Sequence, residues 1–430
     1  MKNQSEELLH FIWQFLFFDR ATLYTAQGET LELLSQGMLN HDSGPDFFNA
    51  RIRINQQEWA GNIEIHWNSS EWHQHKHHED PAYNNVILHV VFNHDRDARK
   101  QNGNFVPVLE LKSRIQSTML NRYHAIMKSR NYIPCEKLLP EVSKMDGKSL
   151  FFQKLLIERL MMKTESIRKV LQDNGWNWED AFYRFMARAF GFKVNAEPFF
   201  QLASITPLSI LSKHKSQIFQ IEALLLGQAG LLSDQYNDEY MQQLLKEYRF
   251  LQSKFSLIPM MPHMWKFGRM RPPNFPTVRI VQFAALIHYS SALFSHMIEI
   301  KKYDEAMNWL MQPVSEYWQY RYQPDGLPSR KRNQIGELSA QSLILNVTVP
   351  FMFLYGRERN IEQLCDRAID MLQQIPSEQN QIVKRFDLMG VKSNNAGDSQ
   401  ALLTLKSNYC DKRKCLHCIF GNQILVQNRE

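Results

Sequence analysis

The chain has 430 residues, of which 44% are apolar and 22% charged, with only 17 glycines and 17 prolines. That balance excludes a disordered chain or a fibrous repeat, and the length exceeds what one core usually encloses, so two or three domains are expected. A formal net charge of +6 is compatible with a polyanionic partner without specifying one.

In chain order, a helix is expected from Glu6 to about Phe18, because apolar residues recur there at helical spacing. That stretch lacks a basic leader, and no run of eighteen apolar residues follows, the nearest being Val281 to Phe294. A cytoplasmic protein without a membrane partner is the expectation. Alternating patterns then predict strands at Thr30 to Leu34, Ala50 to Ile54, Gly61 to Trp67, Val86 to Phe92 and Val106 to Leu111. Beyond Ser113 the pattern changes to long helices, at Leu150 to Leu171, Trp178 to Phe190, Ile218 to Leu232, Glu239 to Phe255 and Arg279 to Ile300. The fold class is therefore α+β: a mixed α/β domain over 1–115, a larger all-helical domain over 116–400, and a cysteine-bearing segment over 401–430.

Residues able to bind metal concentrate between Gly44 and Phe92. In the strand Ile63 to Trp67, side chains alternate, so Glu64 and His66 share one face. Asp46, after Gly44-Pro45, reaches the same end of the sheet if the strands Ala50 to Ile54 and Gly61 to Trp67 form a hairpin. A divalent cation on Asp46 and Glu64 would activate water and neutralise a phosphate; as a plain alternative, Asp46 is a turn residue. His66, His73, His75, His77, His78 and His89 crowd 24 positions. His73, His75 and His77 share a face if that stretch is extended, with His73 and His75 the candidate ligands for zinc or manganese and a solvated loop as the alternative. His89 sits within an apolar strand, where it is either a satisfied core residue or a support for the site.

Near the C-terminus, Cys410, Cys415 and Cys418 form C-x4-C-x2-C. Three thiolates so close can hold zinc or an iron-sulfur cluster, given a fourth ligand from Cys135 or His417. Cys365 reads as a core residue. Cations interleave with aromatics from Trp265 to Arg279, and Arg330, Lys331 and Arg332 form a second basic cluster. Lys266, Arg269, Arg271, Arg279 and that cluster are candidate phosphate contacts. A connector packing its aromatics on neighbouring helices explains the first stretch equally.

Pro45-Asp46 followed by a strand carrying Glu64-x-His66 resembles the PD-(D/E)XK nuclease superfamily over about the first 115 residues. The resemblance implies a magnesium- or manganese-dependent nuclease acting on DNA or RNA, with Asp46, Glu64 and His66 at the catalytic site, which His89 on the next strand would support. His66 stands where that superfamily usually has lysine, the residue that orients water or stabilises phosphate charge. Some of its members carry a [4Fe-4S] cluster on one remote cysteine and three clustered ones, which Cys135, Cys410, Cys415 and Cys418 resemble. Nearly end to end, the chain also resembles a bacterial family, domain of unknown function 2851, found mainly in Bacteroidetes. Asp42 to Phe47, Gly61 to His66, Tyr83 to Val91, Gly191 to Asn195, Glu222 to Gly230, Arg271 to Arg279 and the cysteine motif carry that likeness. Two other functions stand beside the nuclease: a noncatalytic nucleic-acid-binding scaffold, and a zinc hydrolase with another substrate.

Overall fold

The structure is a computed structural model, and it describes residues 2–143, 147–326, 328 and 333–427. The chain is mixed α+β, with the strands in the N-terminal part and helices dominating the rest. It divides into two compact units. The first comprises Met1–Lys148, Met389–Val391 and Lys406–Glu430; the second comprises Ser149–Leu388 and Lys392–Leu405. This differs from the boundaries drawn on sequence. The change in apolar period at 115 marks where strands stop, but the helices just after it still pack with the sheet unit, and so does the cysteine segment.

The first unit begins with α1 (Lys2–Gln14), which buries Leu8, Leu9, Phe11, Ile12 and Trp13. Seven strands follow: β1 (Leu23–Tyr24), β2 (Thr30–Ser35), β3 (Met38–Leu39), β4 (Phe47–Ile54), β5 (Gln57–Asn68), β6 (Val86–Asn93) and β7 (Val108–Glu110). They form one mixed sheet in the order β1-β2-β4-β5-β6-β7, with β3 paired to β4. The pairs through β4-β5 are antiparallel; β5-β6 and β6-β7 are parallel. The expected hairpin of β4 and β5 is present. The two-residue strands β1 and β3 are too short to leave a periodic signal.

Strand β5 is exposed along its first four residues, whereas Ile63 to His66 are buried on both faces, as is β6 from Val86 to Val91. A strand segment buried on both faces should be apolar throughout, which makes Glu64, His66 and His89 conspicuous. Gly61 lets β6 enter beside β5: a Cβ there would lie 2.5 Å from the Asn85 carbonyl oxygen. Between β5 and β6 runs the short helix α2 (Glu71–Gln74), and beyond the sheet come α3 (Ser117–Lys128) and α4 (Leu139–Val142).

The second unit is helical. Its helix Pro276–Tyr289 is buried at every position from Pro276 to Ile287, as expected of a helix surrounded by others. The single helix expected from Arg279 to Ile300 is instead two, Pro276–Tyr289 and Leu293–Glu299. Ser290 is extended and its hydroxyl turns back to the Leu286 carbonyl at 2.6 Å, while the Glu179 carboxylate caps the next helix at Phe294 N. The helix expected to reach Leu232 stops at Gln228, because Gly230 adopts φ +69° and a Cβ there would meet the Met260 carbonyl at 2.3 Å. Among the described residues, one helical run, Glu337–Glu358, is long and apolar enough to cross a membrane; 67% of its apolar 18-residue stretch is buried inside the protein, as in a core helix.

Candidate metal centre

Sheet register sets the first half of the site. Glu64 and His66 lie on β5, and Glu64 pairs with His89 on β6. The Nδ1 of His66 is 2.8 Å from Nε2 of His89. Asp46 precedes β4, where Phe47 pairs with Ile63. Its Oδ2 accepts the backbone N–H of Ile65 at 2.8 Å, and its own N–H donates to Glu64 Oε2 at 3.3 Å. Two acids 18 positions apart are thus fastened together through backbone.

The second half comes from the α2 turn. Trp72 is fully buried and its indole N–H donates to the Arg99 carbonyl at 2.8 Å, while Glu71 accepts the Trp67 and Asn68 amides at 3.0 and 3.2 Å. Lys76, at φ 60°, then reverses the chain and sends His77 back toward the sheet. The His77 ring stacks on Tyr83 with centroids 3.8 Å apart and lies nearly parallel to His66 at 5.2 Å.

Ligand-type atoms of His66, His75 and His77 all fall within 4.8 Å of one another, the one such group of histidine, cysteine or acidic side chains found among the described residues. His66 Nε2 is 3.1 Å from His75 Nδ1. Glu64 Oε1 stands 3.1 Å from His77 Nε2 and 3.5 Å from His66 Nε2. Yet His77 Nε2 is buried without an aligned hydrogen bond: it is near the carboxylate but not aimed at it. His10 on α1 lies 3.3 Å from Asp46 Oδ2 in the same near-but-unaligned way.

Burial shapes the charges. It pushes the Glu64 carboxyl well above the usual range, and the neighbouring Asp46 charge pushes further. It holds His66 far below the ordinary imidazole value, helped by the other imidazoles, and holds His77 down to about 4 and His89 down to about 3. For His10, burial acts downward but is outweighed by Asp46, with Glu6 and Glu7 adding, so its pKa rises. Neutral imidazoles are the protonation state a cation needs, since imidazole ligates through a free lone pair, whereas the desolvated Glu64 carboxyl would have to give up its proton on ligation. With its proton on Nδ1 and shared with His89, His66 would present Nε2 to a metal, the arrangement usual for ligating histidines.

Of the residues expected from the sequence, Asp46, Glu64, His66, His75 and His89 are brought together. His73 is not. Residues 71–74 are helical rather than extended, so spacing-two alternation does not apply, and His73 Nε2 faces the Asp97 carbonyl at 3.1 Å. His77 and His10 join the site instead. Of these, His77 stood in the histidine run, while His10 interrupting an apolar helical face was the overlooked signal.

In the helical unit, Arg279 is buried, stacked on Phe192 at 4.4 Å and bonded to Gln282, Asn274 and Ser339. It is a packing residue with no face left for phosphate, which corrects the expectation drawn from charge alone. Lys266, Arg269 and Arg271 are exposed. Trp265 is buried, donating to the Ala229 carbonyl at 2.8 Å, and Phe267 packs on Phe275, so these aromatics serve packing. Arg330, Lys331 and Arg332 lie outside the described residues. Cys365 is half-buried against the Phe353 carbonyl. Cys135, Cys415 and Cys418 are buried in the first unit, with Cys410 half-buried beside them.

Fold and site together define an α+β protein whose mixed sheet carries a histidine- and carboxylate-lined centre suited to a metal ion. Comparison with known families then places it: residues 6–381 match the family described as "Protein of unknown function (DUF2851)", and the chain belongs to that family. No curated protein and no solved structure matches it.

Proposed function

We propose that the chain is a metal-dependent hydrolase of phosphodiesters in DNA or RNA. The observation that carries this reading is the convergence of His66, His75 and His77 with Glu64, in which His77 Nε2 lies 3.1 Å from Glu64 Oε1 without an aligned hydrogen bond. The donor set fits a divalent cation. Three imidazoles and a carboxylate favour manganese or zinc over magnesium, which prefers oxygen ligands. Such an ion, when bound, activates water and offsets charge on a phosphate.

The chain's own residues have separable tasks. Glu64, His66, His75 and His77 would hold the ion, and His89 would fix the His66 ring through Nδ1. Asp46, whose side chain is about one-quarter exposed, stands at the open side and, through Ile65 N, is locked to the strand that carries Glu64. His10 beside it is a candidate to hold a proton near Asp46. Phosphodiester as substrate is supported by the Pro45-Asp46…Glu64-x-His66 pattern lying on a β-hairpin that continues into a parallel strand, and by exposed Lys266, Arg269 and Arg271 in the helical unit.

The test is cleavage of single- and double-stranded DNA and RNA with manganese, zinc or magnesium, with Glu64→Ala and His77→Ala alongside. Metal-dependent cleavage lost in both variants is expected; cleavage that survives Glu64→Ala overturns the reading. A zinc hydrolase with another substrate is the second reading, favoured by the three imidazoles. Tight stoichiometric zinc on the histidines, with no turnover of any nucleic acid, would select it.

A further inference from the structure

A cavity of about 550 Å³ lies wholly within the helical unit and shares no residue with the histidine centre. That volume is in the range of small-molecule sites. Its walls are single faces of helices. Lys163 and Ser166 come from the helix Lys148–Asp173, and Phe185 and Arg188 from Trp178–Phe190, each pair at i, i+3 spacing. Phe192 and Lys193 open the next helix, Phe192–Ile205, and Ser342 and Asn346 belong to the run Glu337–Glu358.

The backbone is irregular on two of these walls. Phe192 sits at φ 47°, a left-handed conformation unusual for so bulky a side chain, and such strain gathers at ligand sites. The run Glu337–Glu358 widens into a π-helical turn at Ile344–Thr348, a feature frequent at functional sites. That turn takes hold of a cation: the Leu345 carbonyl and Asn346 Oδ1 accept from Lys163 Nζ at 3.2 and 3.0 Å. Two of the three ammonium N–H groups are thereby used, and one remains. Asn346 Nδ2 in turn donates to Ser342 Oγ at 3.2 Å, so the Ser342 hydroxyl keeps its own proton to give.

Charge decides what the cavity takes. Both acceptors of Lys163 are neutral, and among the described residues neither Lys163 nor Lys193 has a carboxylate at ion-pair distance. Burial, with the Arg159 charge adding, holds the Lys163 amine down to about 7 although Glu378 acts the other way, and a bound anion would supply the missing counter-charge. Arg188 is answered by Glu197, which stands outside the lining. No acidic side chain lines the cavity. Three cations against one carboxylate leave two positive charges, the complement of a phosphate monoester, which carries about −1.5 to −2 at neutral pH. Phe185 is buried and Phe192 is held by Arg279, stacked at 4.4 Å, so aromatic surface stands fixed beside the cations.

We propose that this cavity binds a small phosphate monoester with a planar ring system, the chemistry of a mononucleotide, its phosphate toward Lys163, Lys193 and Arg188 and its ring toward Phe185 and Phe192. The proposal stands whether or not the histidine centre cleaves phosphodiesters, because the two sites have no residue in common.

The experiment is calorimetry on the full-length chain, with and without a chelator, using adenosine 5′-monophosphate, adenosine, inorganic phosphate and benzoate as probes. The expected result is one adenosine monophosphate per chain, bound at least about tenfold more tightly than the other three and equally well with the chelator present. Lys193→Ala and Lys163→Met should each weaken it on the order of tenfold, as loss of a hydrogen bond to a charged group does. Lys193→Ala should leave the melting temperature unchanged, because that side chain is exposed. No saturable binding of adenosine monophosphate overturns the site. Adenosine or benzoate binding as tightly overturns the phosphate, and inorganic phosphate binding as tightly overturns the ring. Binding that vanishes with the chelator belongs to a metal and overturns the cavity, as does binding unchanged in both lysine variants. If Lys163→Met fails to fold, Lys193→Ala and the four probes still decide.

Discussion

Replacing Glu222 by glutamine should abolish a loss of stability that the wild-type protein suffers as pH rises from 4.5 to 7. Glu222 lies on the buried helix Ile218–Gln228 and is fully buried, its Oε2 accepting the Tyr240 hydroxyl at 2.7 Å while Oε1 has no aligned partner. Burial pushes its carboxyl up from 4.5 to about 7, with the neighbouring Ser315, Tyr240 and Trp318 polar groups acting the other way. The folded state therefore keeps a proton that the unfolded chain releases. In that window the native state binds more protons than the unfolded state, so stability falls with rising pH and levels off above the folded pKa. At ~1.36 kcal/mol per decade of pKa, the loss is about 3 kcal/mol by pH 8. Glutamine keeps the acceptor for Tyr240 and cannot ionise. The assay is urea unfolding of both proteins at pH 4.5, 6 and 8, followed through helical signal. Glu222→Gln should gain on wild type by about 3 kcal/mol between the extremes. A wild-type-to-variant difference that does not change with pH refutes the argument.

Other predictions concern the site and the packing. His89→Ala should weaken manganese or zinc binding at the histidine centre on the order of 10–100-fold, read by calorimetry, because His66 loses the partner that fixes its ring. Gly227→Ala should destabilise the helical unit by about 1–3 kcal/mol in thermal unfolding, since its Cβ would lie 2.1 Å from the Tyr248 ring. Arg269→Ala with Arg271→Ala should weaken DNA binding and lower its salt dependence if these exposed cations meet phosphate. Arg279→Ala should instead lower the melting temperature, because it strips the buried partners of Asn274, Gln282 and Ser339.

Much of the architecture was legible because it rests on local periodicity. The helices Trp178–Phe190 and Glu239–Phe255 end where the apolar pattern ends, and Asn177 and Asp238 cap them through side-chain oxygens. The alternation in β5 put Glu64 and His66 on one face, and an apolar β6 made His89 a core position whichever way it pointed. What spacing could not reveal was geometry between elements. His73 and His77 look equivalent in sequence, yet the α2 turn and the left-handed Lys76 send one outward and bring the other to Glu64. Arg279 looks like a surface cation because charge is usually solvated, and only the surrounding helices show its guanidinium consumed by amides and an aromatic ring. Likewise Asp46 and Glu64, or Cys135 and Cys418, are neighbours through sheet register and helix packing, contacts whose separation along the chain leaves no periodic trace. Sequence alone thus determined which residues could do chemistry and on which face of each element they lie, because propensity and period act over a few residues. Tertiary structure decided which of them meet, because that depends on how buried surfaces close over one another.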